Sequence, residues 1–92
     1  MDEALAFELR RSVMTYERDR RSLALLRQDL ELKRKKSEIL KKQVDIGDVT
    51  RLEYIKALIE ASESESSILE AVLGLRKSER TLERILGIPS GA

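Results

Sequence analysis

Apolar and small residues recur along this chain at helical spacing, and they do so twice on each of two long segments. In the first segment Leu9, Tyr16, Leu23, Leu30 and Val44 share a heptad series with Ser37, and Leu5, Leu26 and Leu40 widen that stripe. A second series runs Leu25, Leu32, Ile39 and Ile46, with Phe7 and Met14 near its angle. At about 100° per residue the two stripes are centred more than about 100° apart on one helix. The second segment repeats the pattern. One face carries Tyr54, Ala61, Ile68, Leu75 and Leu82, flanked by Ala57, Ser64, Ala71, Ser78 and Ile85; another carries Leu52, Ile55, Ile59, Leu69 and Leu73. The small residues at 57, 64, 71 and 78 recur every seven positions. That spacing lets two backbones approach more closely than leucine layers do.

Breakers mark where the segments end. Nothing interrupts a helix from about 2 to 45, and from about 51 to 86 only Gly74 intervenes. A glycine inside a helix costs about 1 kcal/mol against alanine. Gly47 is placed to take the left-handed conformation that ends a helix. Thr50-Arg51-Leu52-Glu53 fits a capping box, with Val49 before the cap placed to staple against Tyr54. The chain "LGIP" closes the second helix, with Gly87 as the left-handed residue, Ile88 after it, and Pro89 barring continuation. At ~1.5 Å per residue the helices would be roughly 65 and 55 Å long. A turn over 46–50 makes them antiparallel neighbours. The expectation is therefore all-α: a single long antiparallel two-helix hairpin, coiled-coil-like, with a tail over 87–92. Folding near Gly47 brings Lys33–Lys36 level with roughly Leu58–Ala61. The basic stretch "KRKK", with Lys41 and Lys42, then runs beside Glu60, Glu63 and Glu65. Facing charges of this kind set register more than they add stability.

A two-helix hairpin needs one apolar seam per helix. A second stripe on each is an exposed apolar patch, the mark of an interface. The self-association stripe is assigned to Leu25, Leu32, Ile39, Leu52, Ile55, Ile59, Leu69 and Leu73. Two assemblies would cover it: an ordinary helical bundle, or a ring in which each helix touches one neighbour on either side.

Composition agrees with long helices and narrows the chemistry. Of 92 residues 38% are charged and 3% aromatic, the profile of a coiled coil rather than a compact globule. There is no Cys and no His, so disulfides, thiolate metal sites and the commonest general base are all missing. No catalytic constellation, cofactor motif or metal set is legible, and the expectation is a non-enzyme without cofactors. A net charge of +1 gives no general reason to bind nucleic acid. "KRKK" is read as a helix-pairing patch before a phosphate contact. "SESESS" (62–67) is read as a wet face, before a phosphorylation stretch; the row Ser62, Glu65, Ser66 is a candidate for lining a polar cavity. No apolar run approaches the ~20 residues that span a bilayer. The opening "MDEALAFELRR" is acidic, the wrong sign for a secretory signal peptide. The chain is expected to be soluble and intracellular, or an excised piece of something larger.

The turn is the remaining candidate site. "VDIGDVTR" puts Val44, Ile46 and Val49 at the end of the hairpin, where bends usually prefer polar residues. Either they staple the helix ends together or the tip docks into a partner, and the docking reading is preferred.

Gly47-x-x-Thr50-x-x-Glu53-Tyr54-x-x-Ala57, followed by Ala61, Ala71 and a final "LERILGIP", resembles the second half of the repeat in TolC-type outer-membrane efflux proteins. "RSLALLRQDLEL" is similar to the preceding helix of that repeat. The likeness covers nearly the whole chain through degenerate motifs. It implies a trimeric outer-membrane channel whose α-helical tunnel projects into the periplasm and whose hairpin tips meet a periplasmic adaptor protein of a tripartite pump. Carried over, Gly47 and Thr50 form the turn and cap, and Val44, Asp45, Ile46, Gly47, Asp48, Val49, Thr50 and Arg51 form the adaptor-facing tip. The family's β-strands, second repeat and signal peptide are not in this sequence, so the chain would be an excised periplasmic hairpin that does not itself enter the membrane. The adaptor's own hairpin is a close alternative, because "GDVTRLEY" also resembles its return turn; "LGIPSGA" looks more like the channel. A structural coiled-coil oligomerisation module is the alternative outside this family.

Overall fold

The computed structural model describes residues 2–88. They form an all-α helical hairpin of two helices, α1 (Glu3–Asp45) and α2 (Arg51–Leu86), with no strand among the described residues.

Each helix end has a local cause. At the start of α1 the Ala4 N–H donates to Asp2 Oδ1 at 3.1 Å, a side-chain cap on an otherwise orphan amide. α1 ends in a Schellman motif. Gly47 has φ +82°, its N–H donates to the Val44 carbonyl at 3.0 Å, and the Asp48 N–H donates to the Gln43 carbonyl at 2.8 Å. α2 ends in the same way at Gly87, φ +72°, with the Ile88 N–H donating to the Glu83 carbonyl at 2.9 Å. At the start of α2 the Glu53 N–H donates to Thr50 Oγ1 at 3.3 Å. Only this half of the expected capping box forms, since no bond returns from the Thr50 N–H to the Glu53 carboxylate among the described residues. Val49 and Tyr54, the expected staple, are both half-buried. Pro89 and the rest of the tail lie outside the described residues.

The chain divides into two compact units, each taking a segment of both helices: Ala24–Leu69, here the turn unit, and Met1–Leu23 with Glu70–Ala92, here the terminal unit. In the turn unit the seam holds Leu30, Ala57 and Ala61, all buried, with the buried hydroxyls of Ser37 and Ser64. Leu26, Leu40, Val44, Tyr54 and Ile68 are half-buried around them. Small side chains on α2 are what let α1 come close there. The basic and acidic stretches do run side by side: Arg34 pairs with Glu65 at 2.9 Å and Lys36 with Glu60 at 3.7 Å. The register differs from the expected one. Lys33 meets Ser64, through a 2.7 Å hydrogen bond, instead of Ala61. The turn spans residues 46–50 as expected, but its centre is Asp48, one residue beyond the Gly47 taken as the fold point, so α1 positions meet slightly later positions of α2.

In the terminal unit Leu23 is the buried apolar residue. Leu9, Val13 and Tyr16 of α1 and Ala71, Val72, Leu75, Leu82 and Ile85 of α2 are half-buried. Leu5, expected to extend this stripe, is exposed in the first turn of α1. Ser78 Oγ donates to Asp19 Oδ2 at 2.5 Å across the helices. No described side chain in either unit is completely buried. A pair of helices has only one contact line, so each side chain keeps a solvated flank.

Candidate protein–protein interface

The second stripe on each helix is bare. Leu25, Leu32, Ile39, Leu52, Ile55, Ile59, Leu69 and Leu73 are all between 42% and 66% exposed. Phe7, Met14 and Ile46, near the same angle on α1, are exposed as well. Scattered exposed apolar residues are ordinary on a soluble protein. These are not scattered: Leu25, Leu32 and Ile39 on α1 and Leu52 and Ile59 on α2 recur every seven positions, and on α2 Ser62 and Ser66 interrupt the series before Leu69 and Leu73. Both stripes lie on the far side of their helix from the seam. Leu32 is two positions from buried Leu30, and Ile59 is two positions from both Ala57 and Ala61. At about 100° per residue that is a separation of about 160–200°.

At the tip the apolar residues divide. Ile46 is 72% exposed, while Val44 and Val49 are half-buried. Asp45, Gly47, Asp48, Thr50 and Arg51 are exposed. The tip thus half-buries two branched residues and presents the third, together with Asp45, Asp48 and Arg51, to solvent.

A polar layer crosses the seam of the turn unit. Lys33 Nζ donates to Ser64 Oγ and pairs with Asp29 Oδ2 at 2.9 Å, and Ser64 Oγ donates to Asp29 at 3.3 Å. The Lys33 hydrogen bond, against some burial, and then the Lys33 charge and the Ser64 hydroxyl hold the Asp29 carboxyl below its ordinary range. Ser64 is the one member of "SESESS" that turns inward; Ser62, Glu65 and Ser66 are exposed. Ser64 flanks the Tyr54–Leu82 face in the sequence but is also read in "SESESS" as part of a wet face, which its burial corrects; neither its pairing with Asp29 nor that of Ser78 with Asp19 was expected. The missing signal is the register, since a small shift of the turn changes which acid meets which hydroxyl.

The terminal unit has a feature the periodicity did not point to. An open groove of about 510 Å³ runs between its helices, lined by Ser12, Thr15, Gly74, Ser78 and Thr81 together with Glu8, Arg11, Asp19 and Lys77. A Cβ added at Gly74 would meet nothing within 4 Å. The glycine is therefore not there for close helix approach. The same unit carries an open concavity on α1 alone, lined by Phe7, Met14, Thr15 and Glu17 with Arg10, Arg11, Arg18 and Arg21.

Among the described residues no group of three or more His, Cys, Asp and Glu side chains could hold a metal ion, and no helix is long and apolar enough to cross a membrane. Compared with protein-family models, with curated proteins and with solved structures, the chain matches none of them.

Proposed function

We propose that this chain is a helical hairpin from the periplasmic tunnel of a TolC-type outer-membrane efflux channel, with residues 44–51 as the tip that docks to a periplasmic adaptor protein. In that reading the parent protein is a trimer in the outer membrane, and the outer stripes are where neighbouring tunnel helices pack. The observation that carries it is the pairing of one buried seam with one bare, heptad-spaced stripe on each helix. A free-standing hairpin has no use for the second stripe, whereas a tunnel wall uses both faces of every helix. The exposed Ile46 beside Asp45, Asp48 and Arg51 supports the tip as a contact surface, because it leaves one branched apolar side chain unshielded among charges.

A photo-crosslinking amino acid at Ile46 tests the docking role. Position 46 is preferable to Gly47, whose φ of +82° would strain any side chain. The chain is mixed with purified adaptor proteins of tripartite pumps. Adducts at the return turn of an adaptor hairpin are expected from position 46 and not from exposed Arg76. Equal yields from both positions, or none from either, would remove the docking role.

A further inference from the structure

We infer that the outer face of α1 in the terminal unit, from Phe7 to Arg21, attaches the chain to the surface of an anionic phospholipid membrane, lying along that surface without crossing it. The inference goes beyond the proposed function. It uses neither the tip nor the outer stripes of the turn unit, so either can fail without the other.

Three observations lead to it. First, the face has a single character. At about 100° per residue, the residues from 7 to 21 that lie within about 60° of the Phe7 direction are Phe7, Met14, Arg10, Arg11, Arg18 and Arg21, and no others. All of them are exposed, Phe7 by 68% and Met14 by 70%. Phe7 and Met14 form the centre line, with Arg10 and Arg21 on one side of it and Arg11 and Arg18 on the other. Glu17 stands at one edge, and Glu3 one turn before Phe7. Second, these guanidinium groups are not neutralised within the chain. Arg18 reaches only its neighbour Asp19, at 3.8 Å, and Arg10, Arg11 and Arg21 make no ion pair among the described residues. The basic run of the turn unit is different: Lys33, Arg34, Lys35 and Lys36 each pair with an acid. Third, a second copy has no matching charge to lay on this face. The α2 segment of the same unit, residues 70–86, carries Arg76, Lys77, Arg80 and Arg84 against Glu70, Glu79 and Glu83. Glu60 and Glu65 of the more acidic segment are already paired with Lys36 and Arg34.

A phospholipid surface satisfies both halves of the face. Each guanidinium donates paired N–H groups to a phosphate, while its aliphatic stem lies along the apolar line. Phe7 and Met14 enter the boundary between headgroups and acyl chains. Over the ~21 Å of helix between Phe7 and Arg21, several headgroups are met at once. A nucleic acid would take the arginines but leave Met14 without a role, and one phenyl ring is no row of stacking platforms.

Flotation of the full chain with vesicles tests the inference, using phosphatidylcholine with phosphatidylglycerol or phosphatidylcholine alone. The chain should float with the anionic vesicles at low salt, leave them as salt is raised, and not float with the neutral ones. Arg10→Gln with Arg18→Gln and Arg21→Gln should weaken the partition about 100-fold, roughly fivefold per arginine. Arg27→Gln with Lys41→Gln and Lys42→Gln removes the same charge from exposed positions off the face, and should weaken it by less than about fivefold. The chain has no Trp, so Phe7→Trp supplies a lone indole whose emission should move to the blue on anionic vesicles. Every substituted position is exposed, so the hairpin should persist, which far-ultraviolet circular dichroism checks. No flotation with anionic vesicles at low salt, equal losses in the two triple variants, or an unmoved Phe7→Trp emission on bound vesicles would each overturn the inference. Capture by polyglutamate or an oligonucleotide without flotation would give the face to another partner and overturn it as well.

Discussion

The turn unit and the terminal unit are built from the same two helices and solve the packing problem differently. In the turn unit α2 offers Ala57, Ala61 and Ser64 to the seam, Leu30 fills the space, and cross-helix bonds close both flanks. In the terminal unit the seam is only half-buried apart from Leu23, and a groove with a glycine and hydroxyls in its lining stays open beside it. One unit zips itself shut; the other leaves room that its own side chains do not fill. The contrast separates what holds the hairpin together from what it leaves for others. Apart from Leu23, the buried apolar side chains gather around Leu30 and the small α2 residues of the turn unit, and the terminal unit carries the open groove.

Substitutions sharpen that contrast, beginning with the largest effect. Leu30→Ala should cost about 2–5 kcal/mol, towards the low end because a helix pair can close partly over the gap. Leu25→Ala, on the exposed stripe, should stay within about 0.5 kcal/mol for the monomer. Urea denaturation at low protein concentration compares them, and similar costs at both sites would erase the distinction between seam and stripe. Ala57→Leu should lose about 1–3 kcal/mol by overfilling a seam position that is 3% exposed. A thermal midpoint unchanged from wild type would show that the small residues are not what sets the approach. Gly74→Ala runs the other way. With a helical backbone and nothing within 4 Å of the new Cβ, it should stabilise the chain by about 1 kcal/mol. A loss of stability there would mean the groove is tighter than its geometry indicates.

The smallest effect is electrostatic. Asp29 titrates below its ordinary range because Lys33 hydrogen-bonds its carboxylate. Its folded pKa is lower than its unfolded one, so its contribution is complete above the unfolded value and is lost as pH falls through the folded one. Lys33→Gln should move the Asp29 titration up toward the ordinary carboxylate range, read by carboxyl-carbon NMR. A titration that does not move would assign the shift to something other than Lys33.

Much of this fold was legible in the sequence because its devices are local. Gly47, Thr50 and Gly87 announce the helix ends, and the spacing of Leu23, Leu30, Ala57 and Ala61 announces the seam. What was not legible depends on register. The pairing of Lys33 with Ser64 and of Asp19 with Ser78 follows from where within the 46–50 turn the chain reverses and from how far each side chain reaches, and composition fixes neither. The groove was missed for a related reason. Gly74 reads as a weak point in a helix, and only the placement of Ser12 and Thr15 across from it turns it into a cavity. The outer stripes were legible as faces, and their partner is a matter of chemistry between molecules.

The most direct test of the account is the apparent mass of the wild-type chain as its concentration is raised, followed by sedimentation equilibrium beside the double variant Leu32→Glu, Ile59→Lys. Wild type should grow reversibly beyond 10.5 kDa while the variant keeps its helicity and its monomer mass. A wild-type chain that holds the monomer mass up to its solubility limit would show that the bare stripes have no call for other helices.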